Sequence, residues 1–198
     1  PLTTGAQYAQ ANSIFVSGED VYTAGFVEYN RLNYVATYWK NGKAFSLTQE
    51  NQFANINSIF VSKTGDVYTA GDIYNGSVRV ATYWKNQEAI SLTDGTQYAG
   101  LSSIFVSDAG DVYAAGREKN GTNYVAKYWK NGKVVALTDG TQNAGLQSIF
   151  VSGNDVYVGG YEFDVATYWK NGTKVALTET GTWAAIGCRF VSGDGVYA

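Results

Sequence analysis

The sequence holds no histidine, no methionine, one cysteine and one proline in 198 residues. Without histidine, the commonest general base and metal ligand is missing. A single cysteine, Cys188, excludes an intrachain disulfide, and as a nucleophile it would have no imidazole to activate it. It stands where the other units of the chain carry Ser, which points to a small strand residue. The absence of Met, even at position 1, reads as a mature or trimmed chain. No run approaches the roughly 18 apolar residues that a membrane helix needs. Like charges are not clustered and the net charge is −3, which argues against a nucleic-acid groove lined by Lys and Arg. Apolar residues make up 45% and charged residues 16%, so the chain is not a disordered one.

What is abundant favours strands and turns. There are 16 Tyr and 23 Gly. Tyr, Val, Thr, Phe and Trp suit a pleated, half-buried surface, and Gly, Asn and Asp supply turns. A repeat organises them. "SIFVS" places Phe15, Phe60, Phe105 and Phe150 at intervals of 45, and "CRFVS" adds Phe190 after 40 more. "DVY" recurs at Asp20–Tyr22, Asp66–Tyr68, Asp111–Tyr113 and Asp155–Tyr157, with Gly195-Val196-Tyr197 as an altered fifth copy. "YWKN" recurs at Tyr38, Tyr83, Tyr128 and Tyr168, and "LT" five times from Leu2-Thr3 to Leu177-Thr178.

Each unit reads as four short strands: A ("SIFVS"), B ("DVYTAG"), C ("YVATYWK") and D ("AFSLT"). Asn41-Gly42 closes the C–D hairpin, since Asn-Gly is the strongest short hairpin signal. A longer loop, "DGTQYAG" at Asp94–Gly100, leads from D to the next A. Four strands of about six residues with connections of about five account for the period. Length changes fall in the loops: Gly160 to Trp169 spans 9 positions against 14 from Gly25 to Trp39. The markers alternate with period two, and no window carries a helical stripe, so a helical solenoid is rejected. Strand C is apolar on both faces, so each small sheet needs a neighbour on each side. Radial packing around an axis provides that.

In this pattern the chain resembles a β-propeller, similar in architecture to WD-repeat, kelch and tachylectin-type proteins and to bacterial repeat proteins of secreted or surface type. The resemblance covers residues 1–198 as one all-β domain, with four complete repeats of about 45 residues and a partial fifth. One C strand and most of a D strand, roughly 25 residues, would complete five blades. An incomplete last blade would leave an open edge and invite self-association. The resemblance implies that the D–A and B–C loops share one rim, the usual ligand face of such rings.

The candidate site residues lie in those loops. Seven positions before each marker Phe stand Tyr8, Phe53, Tyr98, Asn143 and Trp183, preceded by Gln7, Gln52, Gln97, Gln142 and Thr182. An aromatic beside an amide, once per unit, offers a flat apolar face for sugar C–H groups and a donor–acceptor pair for hydroxyls. The competing role for these aromatics is to plug the gap between blades. The repeated Trp39, Trp84, Trp129 and Trp169 read as packing between blades, each indole N–H finding a fixed partner. The Asp of "DVY" reads as bonding turn amides, because calcium would need several converging oxygens. Acidic residues in the B–C loops (Glu28–Asn33, Arg117–Asn123, Tyr161–Asp164) could supply a glycosidase pair but read as solvated charges.

The functional expectation is a non-enzymatic, multivalent, lectin-like module binding glycans or another surface ligand, without catalytic residues, metal or cofactor, in a secreted or cell-surface setting. A protein-interaction scaffold on the same rim is the alternative, and a propeller glycoside hydrolase is the second.

Overall fold

The computed structural model describes residues 8–28, 34–179, 190–192 and 195–197. Every regular element in them is a β-strand. The first sheet contains β1 (Ala9–Ser17), β2 (Asp20–Glu28), β3 (Tyr34–Lys40) and β4 (Lys43–Ser46). The second contains β5 (Ala54–Val61), β6 (Val67–Tyr74), β7 (Arg79–Lys85) and β8 (Glu88–Ser91). The third contains β9 (Ala99–Val106), β10 (Val112–Asn120), β11 (Asn123–Lys130) and β12 (Lys133–Ala136), and the fourth β13 (Ala144–Ser152), β14 (Asp155–Glu162), β15 (Val165–Lys170) and β16 (Thr173–Ala176). Each is an antiparallel meander in sequence order, and β17 (Phe190–Ser192) pairs with β18 (Gly195–Tyr197) as the first two strands of a further unit.

The sheets form the blades of a propeller, with the first strand of each innermost. Phe15, Phe60, Phe105 and Phe150 run from blade to blade along these inner strands, ring centroids 4.9–5.1 Å apart. The Oγ atoms of Ser13, Ser58 and Ser103 accept bonds from the backbone N–H of Ile59, Ile104 and Ile149 in the following blade, at 3.1–3.2 Å. The outermost strand of each blade is largely exposed.

Trp39, Trp84, Trp129 and Trp169 are all buried, and Trp84, Trp129 and Trp169 lie in apolar layers between consecutive blades. One detail differs from the sequence expectation. Trp84 and Trp169 Nε1 have no acceptor among the described residues, so packing rather than a fixed hydrogen bond holds those indoles. Burial of large aromatic surface contributes several kcal/mol, against about 1–3 for an unmade bond. Ile14 and Val16 are 65% and 60% exposed, whereas Ile59 and Val61, one repeat later, are both 4% exposed against the preceding blade.

The strand limits depart from the sequence expectation at two points. Strand A begins earlier, so that Ala99 and Gly100 of the presumed loop already pair with Glu118 and Arg117. Strand D ends before "LT". Thr48, Thr93, Thr138 and Thr178 instead accept, through Oγ1, the backbone N–H of Ala36, Ala81, Ala126 and Ala166 at 3.0–3.2 Å, pinning the chain to strand C as it leaves the hairpin.

A bulge shapes the innermost strand of all four blades. The register slips between Ala11 and Ser13, Ile56 and Ser58, Leu101 and Ser103, and Leu146 and Ser148. The extra residues are Asn12, Asn57, Ser102 and Gln147. The bend drives a strand A carbonyl onto the facing strand B residue, where a Cβ on Gly116 would sit 2.0 Å from the Gly100 oxygen. Only glycine fits there, which explains the Gly that ends "DVYTAG" and its counterparts in the other units.

Candidate functional site

The two ends of the propeller differ. At the end formed by the A–B and C–D turns, "DVY" and "YWKN" meet. Asp20, Asp66, Asp111 and Asp155 pair with Lys40, Lys85, Lys130 and Lys170 at 2.7–3.2 Å. Each carboxylate also accepts a bond from Asn41, Asn86, Asn131 or Asn171, at 2.6–3.0 Å. Those Asn residues sit at φ of 49–58°, and their Oδ1 accepts the N–H of the residue after the Asp. Each Lys lies over the Tyr of its "DVY", 5.1–5.7 Å from the ring centroid. The Asp therefore serves the neighbouring hairpin rather than its own turn amides, correcting the sequence expectation. These bonds hold the four carboxyls below the ordinary value of 3.8, with Lys the leading cause for Asp20 and Asp155 and Asn for Asp66 and Asp111.

At the opposite end, the D–A and B–C segments join, as expected. The backbone N–H of Glu28, Tyr74, Lys119 and Phe163 donates to the carbonyl of Tyr8, Phe53, Tyr98 and Asn143, at 2.6–2.8 Å. Here the side chains stop resembling one another. After the tight glycine of strand B stand Phe26, Asp72, Arg117 and Tyr161; opening strand C stand Tyr34, Arg79 and Tyr124. In blade 1 the pair is aromatic, Phe26 against Tyr34 at 4.7 Å. In blade 2 it is an ion pair between Arg79 and Asp72. In blade 3 the Arg117 guanidinium lies 4.4 Å from the Tyr124 centroid. Burial raises the Asp72 carboxyl, and the adjacent Arg79 charge opposes that rise.

A cleft of about 440 Å³ opens where blades 2, 3 and 4 converge at this end. Asn55, Asn57 and the Arg79–Asp72 pair line it from blade 2, Tyr98 and Arg117 from blade 3, and Gln147 and Tyr161 from blade 4. Three of the four bulge residues, Asn57, Ser102 and Gln147, line it. Asn57 donates to the Leu101 carbonyl at 2.7 Å and accepts from Asn55 at 2.9 Å. Gln147 Oε1 is buried and has no donor among the described residues. Arg117 donates to the Tyr161 hydroxyl at 3.2 Å.

The aromatic positions singled out from the sequence are divided by the structure. Tyr8 is exposed. Phe53 is half-buried, with Arg79 over its face at 4.7 Å and the edge of Tyr34 at 4.8 Å, so it fills the gap between blades. Tyr98 is half-buried in the cleft, edge-on to Tyr124 at 5.8 Å. Asn143 accepts the Tyr124 N–H through its side chain at 2.9 Å and so anchors the turn. Gln52, Gln97 and Gln142 are exposed beside these residues, outside the cleft lining. Gln7, Thr182, Trp183 and Cys188 lie outside the described residues, as do positions 29–33 of the first B–C loop. Two of the B–C acids are paired: Glu118 with Lys127 at 2.6 Å, and Glu162 with Lys174.

Sequence reasoning passed over Asp72, Arg79, Asn55, Asn57 and Gln147, and treated Arg117 and Tyr161 as loop. The signal was available. These positions differ between units that are otherwise nearly the same.

No protein-family model and no curated protein matches the chain. Among solved structures, a fucose lectin from Kordia zhangzhouensis in complex with methyl-fucoside superposes with a TM-score of 0.48 at 11% identity, over 63% of this chain and 95% of the lectin. The polysaccharide lyase Uly1 superposes with a TM-score of 0.48 at 13% identity over 85% of this chain, which spans about half, 49%, of the lyase.

Proposed function

We propose that this domain is a non-enzymatic, lectin-like module that binds a saccharide in the cleft between blades 2, 3 and 4. The observation that carries this reading is the convergence there of unlike polar groups around Tyr98, including a buried amide oxygen, Gln147 Oε1, without a donor among the described residues. A buried acceptor left unpaired costs about 1–3 kcal/mol, and a turn of the Gln147 amide into the cleft it lines lets a ligand hydroxyl relieve that cost. Asn55 and Asn57 add donors and acceptors for further hydroxyls, and the tyrosine rings offer apolar faces to sugar C–H groups. The exposed Gln52, Gln97 and Gln142 flank the cleft as weaker contacts that add avidity with a polymeric glycan. The rim groups differ from blade to blade, which favours one composite site over the equivalent pockets expected from the repeat.

The test is a glycan array followed by calorimetry on the best binder. Tyr98→Ala and Gln147→Ala should each weaken binding about tenfold, equivalent to about 1.4 kcal/mol, with unchanged circular dichroism. Absence of any glycan signal, or full binding by both variants, overturns the reading.

A further inference from the structure

The cleft carries an unbalanced charge. Two guanidiniums and one carboxylate line it. Arg79 is neutralised by Asp72 on the neighbouring strand of its own sheet. Arg117 has no such partner: the adjacent Glu118 is taken by Lys127 at 2.6 Å, and among the described residues no carboxylate pairs with Arg117. What Arg117 does have is positioning. Its guanidinium lies against the Tyr124 ring at 4.4 Å, and one Nη donates to Tyr161 at 3.2 Å. The ring contact and the hydrogen bond together restrict the orientation of the group. A guanidinium held this way keeps in-plane N–H donors for a two-oxygen anion and loses little side-chain entropy on binding one. Tyr98, in the same cleft, offers a ring face and a hydroxyl beside it.

Resting on the saccharide reading above, we propose that the cleft selects acidic saccharides, with Arg117 receiving the anionic substituent, while Asn55, Asn57 and Gln147 take hydroxyls. A uronic-acid carboxylate and a sulfate ester each present a pair of anionic oxygens that a guanidinium can grip, so the shared chemistry is a two-oxygen anion on a sugar ring. The Arg79–Asp72 pair sharpens the selection. That pair carries no net charge and offers a second anion no attraction like Arg117's, so a polymer charged on every residue has to seat one charge at Arg117 and present neutral edges to blade 2.

The experiment is calorimetric titration of the intact protein with three probes of matched length: an oligogalacturonate, a sulfated galactan oligosaccharide and a neutral galactan oligosaccharide. At least one acidic probe should bind about tenfold or more tighter than the neutral one at low salt. The preference should shrink steeply as salt approaches about 0.5 M, where screening shortens to a few ångströms. Arg117→Gln, which removes the charge and keeps a polar amide, should collapse the acidic-to-neutral ratio toward one. Should that variant fold poorly, the salt series on the unaltered protein decides the question by itself. Whichever acidic probe binds more tightly identifies the anion. Equal binding of acidic and neutral probes, or a preference that survives both salt and Arg117→Gln, overturns the inference and leaves the saccharide reading standing. Failure of all three probes where a glutamate-rich peptide binds overturns both.

Discussion

One end of this propeller repeats the same side-chain contacts in four blades, and the other end changes them from blade to blade. At the A–B and C–D end, the Asp–Lys–Asn–Tyr cluster recurs four times with nearly the same distances. At the D–A and B–C end, corresponding positions hold an aromatic pair, an ion pair and a cation–aromatic pair. The same strands build both ends, so strand geometry does not explain the contrast. The constant end closes hairpins whose Asn residues need a left-handed backbone, and any change there costs folding energy. The variable end sits past the bulge, where the backbone is already joined by its own hydrogen bonds. Side chains there are released from the frame and are free to differ, which is where binding chemistry accumulates on a fixed scaffold.

Substitutions can sharpen or break that contrast. The largest effect belongs to neither end but to the layers between blades: Trp84→Ala should lower stability by about 3–5 kcal/mol in a denaturant titration, since the indole is fully buried. A loss under about 1 kcal/mol would mean that the blades do not depend on these layers. Gly116→Ala comes next, at about 1–3 kcal/mol, because the added methyl meets the Gly100 carbonyl and the inner strand must shift. At the constant end, Asn131→Ala should cost about 1–2 kcal/mol, from a left-handed residue without its side-chain bonds. Acid should loosen the same end. The four carboxyls titrate below their unfolded value in the native state, so their stabilisation is present above about pH 4 and is lost as pH falls through and below it. The thermal midpoint should therefore drop between about pH 5 and about pH 3, and less so in Asp111→Asn. The smallest effect is expected at the variable end: Gln97→Ala, exposed and outside the frame, should stay within about 0.5 kcal/mol of the parent. A larger loss there would place frame duty on the rim and blur the contrast.

The frame was largely legible in the sequence. Asn41-Gly42 announced its hairpin, strand C announced burial on both faces, and the spacing of Phe15, Phe60, Phe105 and Phe150 marked the blade. The two strand limits were not legible. Ala99-Gly100 reads as loop by composition, yet the bulge lets it continue the inner strand. Leu92-Thr93 reads as strand, yet the Thr hydroxyl takes a backbone N–H and turns the chain. The site was only partly legible. Tyr98 stands out because an aromatic recurs at its position. Asp72 and Arg79 do not, because they are seven residues apart in sequence, and only the strand pairing sets them side by side. Arg117 and Tyr161 belong to different blades, so no local pattern could join them.

From the letters alone came the strand period, the turns and the need of each sheet for a neighbour on both faces. Those follow from local backbone preference and from apolar surface, which act over a few residues. Which side chains share the cleft was decided only by folding, because that depends on the angle between successive blades and on one extra residue per inner strand. The first is a property of packed sheets that no single 45-residue unit contains, and the second exists only once two strands of a unit have paired.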